Sequence, residues 1–149
     1  MKAKDIMTNN LIVSNNNSNV FEIAKIMKEK DIGFIPINNK NKIIGIITDR
    51  DIVVKILANN DTKIEDYISK NIITCNVNDS IDKILLKMKK NKIKRIIVED
   101  KKKVVGVISL SDILNTNYND IDKIMSIQSI WSISSNANTR DLEVDDFYL

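Results

Sequence analysis

The phrase GIITDRDI at residues 45–52 returns as GVISLSDI at residues 106–113, an offset of 61 in a chain of 149 residues. At that offset residues 5–52 lie on residues 66–113 without a gap, so that Asp5 falls on Asp66, Met27 on Met88, Gly45 on Gly106 and Asp51 on Asp112. Such self-similarity constrains the fold more than any local propensity, because both copies must adopt the same supersecondary unit.

Each copy reads in the same order. An apolar strand, LIVS from Leu11 or IITC from Ile72, precedes a capping pair, Ser18 with Asn19 or Asp79 with Ser80. That pair opens an amphipathic helix, on which Val20, Ile23, Ala24 and Met27 share one face in the first copy. Two strands follow, FIPI and KIIGIIT around the polar turn NNKN, matched by RIIV and KVVGVIS around EDKK. A second helix is expected from about Asp49, with Ile52, Val53, Ile56 and Leu57 facing inward. The predicted unit is β-α-β-β-α, an α+β fold class. A unit of about 60 residues is marginal by itself, so the two halves are expected to share one pseudo-symmetric core. The expected boundaries are 1–60 and 61–117, with a C-terminal helix and a partly disordered acidic tail over 118–149.

Composition removes several classes of function. The net charge of +3 comes from 23 basic and 20 acidic residues that interleave along the chain, which argues against a nucleic-acid footprint. No apolar run reaches the length of a signal peptide core or a membrane span, and a cytoplasmic location with no membrane partner is expected. The chain has no histidine and one cysteine, Cys75, which excludes an intrachain disulfide, the usual zinc sets and imidazole-based triads. Cys75 reads as a small buried hydrophobe.

The repeated ending, Thr48-x-x-Asp51 and Ser109-x-x-Asp112, supports two readings. One is a capping box, in which the hydroxyl accepts a backbone N–H and the acid reaches back. The other is ligand recognition: a carboxylate offers two acceptor oxygens to a ribose diol, and a hydroxyl beside free N–H groups at a helix start suits phosphate.

The order of elements and the G-h-h-T/S-x-x-D ending of each half resemble the tandem CBS domain pair, or Bateman module, over about residues 3–116. The resemblance implies an adenosine ligand in the cleft between the two repeats, with Thr48 and Ser109 near phosphate and Asp51 and Asp112 on ribose. It also implies adenine walls at Ile12 with Val13, at Ile73 with Thr74, and at Ile35 with Pro36. Phosphate-binding members carry a basic pair ahead of the middle strand, where this chain has Lys94 and Arg95 in the second half but Gly33 and Phe34 in the first. Anionic charge is therefore expected chiefly in the second half, and Arg50 either adds to it or pairs with a neighbouring acid. Ile97 stands where the family has proline, and Leu110 with Ser111 stand where the first half has Asp49 and Arg50.

These readings imply a regulatory module that requires no cofactor and has no catalytic residue or metal. It takes AMP, ADP, ATP or S-adenosylmethionine as effector and signals by conformational change to a partner. The resemblance also implies a homodimer, with Ile52, Ile56, Ile113 and Leu114 expected on the uncovered helix faces. Residues 119–149, with a helix closing on Trp131, offer a surface for the chain's own dimer or for another protein. The alternative is a structural dimerisation module with degenerate, ligand-free pockets. An enzyme of the IMP dehydrogenase kind is excluded by the lack of room for a catalytic barrel.

Overall fold

The computed structural model describes residues 1–116. The elements are α1 (Ala3–Ile6), β1 (Ser14–Asn15), α2 (Val20–Lys30), β2 (Phe34–Asn39), β3 (Lys42–Thr48) and α3 (Asp49–Asp51). They continue with β4 (Thr74–Asn76), α4 (Ile81–Asn91), β5 (Arg95–Asp100), β6 (Lys103–Ser109) and α5 (Leu110–Leu114). Helix α3 runs on into a π-helical stretch, Ile52–Ile56, and a 3-10 turn, Leu57–Asn59. Two three-stranded sheets, ordered β1-β2-β3 and β4-β5-β6, give the α+β class and the expected unit twice.

The duplication holds down to backbone detail. Asn19 caps α2 by accepting the N–H groups of Phe21 and Glu22 at 2.9 and 3.0 Å, while Glu22 reaches back to the Asn19 N–H at 2.9 Å. Ser80 caps α4 in the same place. Both helices leave through a left-handed residue, Asp31 at φ 51° and Lys92 at φ 54°. The β2–β3 hairpin turns on Lys40 and Asn41, and the β5–β6 hairpin on Lys101 and Lys102, all four at positive φ. This is the backbone twist that a two-residue hairpin loop requires, here achieved without glycine. Each hairpin also slips register at the matching place, after Ile37 and after Val98.

The molecule divides into two compact units, and each takes the body of one repeat with the lead-in of the other. One comprises Asn9–Thr74; the other joins Met1–Thr8 to the described residues from Cys75 onward. In the first, Ser69 and Ile46 exchange two backbone hydrogen bonds of 3.0 Å, and Ile64 and Ile68 are buried in the core. In the second, Thr8 and Val107 exchange the equivalent pair at 2.9 and 3.2 Å, and Ala3 donates to the Asp79 carbonyl at 2.9 Å. The crossing backbone explains the glycine of the repeated phrase. A Cβ at Gly45 would lie 2.5 Å from the Ser69 carbonyl oxygen, and one at Gly106 would lie 2.7 Å from that of Thr8.

Four expectations need correction. The first strands begin later than LIVS and IITC suggest, at Ser14 and Thr74, because the apolar residues ahead of them stand outside the sheet ladders. Ala24 is exposed: it sits at the border of the apolar stripe, where its methyl group does not reach a core that Leu85, its counterpart, does reach. Val53 and Leu57 are 61% and 44% exposed, because the i→i+5 spacing after Asp51 rotates them off the face held by Ile52 and Ile56. Ile52, Ile56 and Ile113 are in turn buried, which leaves Val53, Val54, Leu57 and Leu114 as the exposed apolar residues of the helical segments that follow the two phrases, beside Phe21 on α2 and Leu86 on α4. The helix expected to end on Trp131 lies outside the described residues. Among those described, no helix is long and apolar enough to cross a membrane.

Candidate functional site

Each β-hairpin delivers its Thr/Ser-x-x-Asp phrase to the start of a helix. In the first repeat the Thr48 N–H and hydroxyl donate to Asp51 Oδ2 at 3.1 and 2.7 Å, and the Asp51 N–H donates to Thr48 Oγ1 at 3.1 Å. In the second, the Ser109 N–H and hydroxyl both donate to Asp112 Oδ2 at 2.7 Å, and the Asp112 N–H donates to Ser109 Oγ at 3.1 Å. Both phrases are therefore complete capping boxes. In each box Oδ2 does the capping, so any further role of the acid falls to Oδ1.

At Oδ1 the repeats diverge. Asp51 Oδ1 is held by Lys55 Nζ at 2.6 Å, and the Asp51 side chain is only 13% exposed. Burial raises the proton affinity of this carboxyl, but hydrogen bonds from Lys55 and Thr48 outweigh it and hold the group below the ordinary carboxylate range. At the same 61-residue offset the second repeat has Thr116, beyond the end of α5 at Leu114, where the first has Lys55 in its π-helical stretch. Among the described residues Asp112 forms no ion pair, and Asp112 is half-buried.

The neighbouring strand diverges as well. Phe34 stands opposite Thr48 in the β2–β3 ladder, whereas Arg95 stands opposite Ser109 in β5–β6. Directly opposed residues share a sheet face with Cβ atoms about 5 Å apart, so a guanidinium takes the place of a phenyl ring. Arg95 is half-buried and forms no ion pair among the described residues. Lys94 ties this strand to the phrase by accepting the Leu110 N–H on its carbonyl at 2.8 Å, as Gly33 does for Asp49 at 3.1 Å.

The remaining predicted residues fall into three groups. Strand alternation puts Pro36 on the face of Thr48, while Ile35 lies on the other face, buried opposite Ile47 in the core. Ile12, Val13 and Ile73 stand ahead of the ladders and are only partly covered; Thr74 opens β4. Arg50 is exposed and in no ion pair among the described residues. Cys75 is buried, and burial together with the nearby Asp79 charge pushes its thiol up to about 11, which suits a packing role. Sequence reasoning missed Lys55. The signal was an acid and a lysine four apart on one helix, broken at the second copy.

The two copies of the β-α-β-β-α unit, each with its hairpin ending on a Thr/Ser-x-x-Asp cap, coincide with two matches to the sequence model of the CBS domain family, at residues 3–58 and 64–118. The chain belongs to the CBS domain family. Among solved structures, the CBS domain pair of protein MJ0100, in complex with 5′-methylthioadenosine and S-adenosyl-L-methionine, is 34% identical with a TM-score of 0.71. The match covers 76% of this chain and 93% of that one. An uncharacterized conserved protein from Pyrococcus horikoshii is 30% identical with a TM-score of 0.73, over 80% of this chain and 94% of that one. The L-aspartate semialdehyde sulfurtransferase of Methanocaldococcus jannaschii is 36% identical over 74% of this chain. The match covers only 22% of that enzyme, so this chain corresponds to a small part of it.

Proposed function

We propose that this CBS domain pair is a regulatory module that binds an adenosine compound, an adenine nucleotide or an adenosyl thioether, and signals the occupancy to a partner by conformational change. The carrying observation is the second repeat. There a capped carboxylate keeps Oδ1 uncommitted among the described residues while Arg95 stands opposite Ser109. Asp112 then accepts from the ribose diol, and Arg95 with Lys94 faces the 5′ substituent. The MJ0100 pair, which carries adenosyl ligands, supports this reading at 34% identity. The acids act as acceptors and caps, so the reading is non-catalytic. It is also cytoplasmic, in keeping with an intracellular adenosine effector. A homodimer fits the exposed Val53, Val54 and Leu57, which lie together on the helical segment after α3.

A thermal-shift screen of AMP, ADP, ATP, S-adenosylmethionine and 5′-methylthioadenosine tests the proposal. A ligand at about 100 times Kd stabilises by about 2.7 kcal/mol, which is an easily read shift. One observation favours the alternative, a ligand-free dimerisation module: both capping boxes are complete from protein groups alone. No shift with any of the five compounds selects that alternative.

A further inference from the structure

We propose that Lys55 closes the first Thr-x-x-Asp site, so that each chain offers a single adenosine site, the one built on Ser109 and Asp112. This rests on the proposed function and assigns a role to a residue outside the repeated phrase. Asp51 has both oxygens committed within the protein: Oδ2 to the Thr48 N–H and hydroxyl, and Oδ1 to Lys55 at 2.6 Å. A ribose diol donating to this acid must displace an ammonium from a carboxylate that is largely buried. The exchange replaces an ion pair with hydrogen bonds from neutral hydroxyl donors. At Asp112 nothing has to be displaced among the described residues, because position 116 is threonine, and the Thr116 hydroxyl is turned back onto the Ile113 carbonyl at 2.7 Å. The opposing strand acts in the same direction, with Phe34 at the first site and Arg95 at the second.

The test is isothermal titration of the full chain, Lys55→Met, Lys55→Arg and the double variant Lys55→Met/Asp51→Ala. The probe is 5′-methylthioadenosine, with S-adenosylmethionine and AMP in parallel. The first probe is uncharged and carries an intact ribose diol, so removing a lysine changes access to Asp51 without changing attraction for a charged ligand. Wild type and Lys55→Arg are expected to bind one equivalent per chain and Lys55→Met two, with the double variant returning to one. Circular dichroism melts confirm that all four are folded. One equivalent for a folded Lys55→Met, or two for wild type, overturns the lock and leaves the ligand reading intact. No binding of any probe by any variant overturns the ligand reading, and the lock with it.

Discussion

Arg95 stands directly across the β5–β6 ladder from Ser109, at the position where the first repeat sets Phe34 across from Thr48. The two hairpins are otherwise superposable in register, down to the bulge, so the difference is one of chemistry on a common frame. It gives the duplicated fold two chemically unlike candidate sites.

The first prediction follows from that pairing. Arg95→Ala should weaken AMP and ATP by about 10- to 150-fold, the worth of a charge-assisted hydrogen bond of about 1.5–3 kcal/mol. Adenosine affinity should stay nearly unchanged. Equal losses for nucleotide and nucleoside, measured by titration, would mean that the arginine shapes the pocket instead of holding charge.

Assembly gives the second. Val53→Asp with Leu57→Asp should convert the proposed dimer to monomer and leave the melting temperature close to wild type, because both side chains are exposed at 61% and 44%. Ile56→Asp should instead unfold the chain, since Ile56 is fully buried and a charge there has no partner. Light scattering and a thermal melt separate the cases, and a monomeric wild type at tens of micromolar contradicts the dimer.

Much of this was legible in the sequence, for a definable reason. The repeat fixes which positions are equivalent, so Asn19 and Ser80, the two hairpins and both Thr/Ser-x-x-Asp caps could be placed from spacing. The exchange of lead-ins was not legible, because Thr8 and Ser69 pair through backbone groups that every residue carries. The π-helical register after Asp51 escaped for a similar reason: Val53 and Leu57 look inward under a 3.6-residue period that the chain abandons there. Apolarity alone misplaced the first strands, since Ile12, Val13 and Ile73 stand ahead of the residues that enter the ladders. Lys55 was legible only by laying position 55 on position 116.

The third prediction concerns the glycines that the exchange requires. Gly45→Ala should cost about 1–3 kcal/mol, because its Cβ meets the Ser69 carbonyl oxygen at 2.5 Å, and backbone cannot step aside as a side chain can. Gly33→Ala should cost less, since the nearest atoms there are the end of the exposed Asp49 side chain. Urea denaturation of the two variants makes the comparison, and equal losses would contradict a backbone crossing at Gly45.

Acid stability gives the fourth. Burial raises the proton affinity of Asp79, but Lys83 at 2.6 Å, the Asn76 N–H at 3.0 Å and Lys87 at 3.5 Å outweigh it and lower the folded-state value below the ordinary 3.8. The stabilisation is thus complete above the unfolded value and is lost as pH falls through the lower folded one. Asp79→Asn should be less stable than wild type by about 1 kcal/mol near neutral pH, and the gap should close as pH falls through the lowered folded-state value of Asp79. Urea midpoints across that range check it, and a gap that persists at low pH contradicts the account.

The most direct measurement is the affinity of Asp112→Asn for 5′-methylthioadenosine and its 2′-deoxy form, taken with the melting temperature of the same variant. Asparagine keeps an acceptor for the Ser109 N–H, so the cap survives, while the anionic acceptor for the ribose is lost. The account predicts affinity lower by about 10- to 150-fold with the melting temperature nearly retained, and no preference left for the ribo over the 2′-deoxy ligand. Unchanged affinity in the folded variant would show that Asp112 only caps α5, and would contradict ligand recognition by the second repeat.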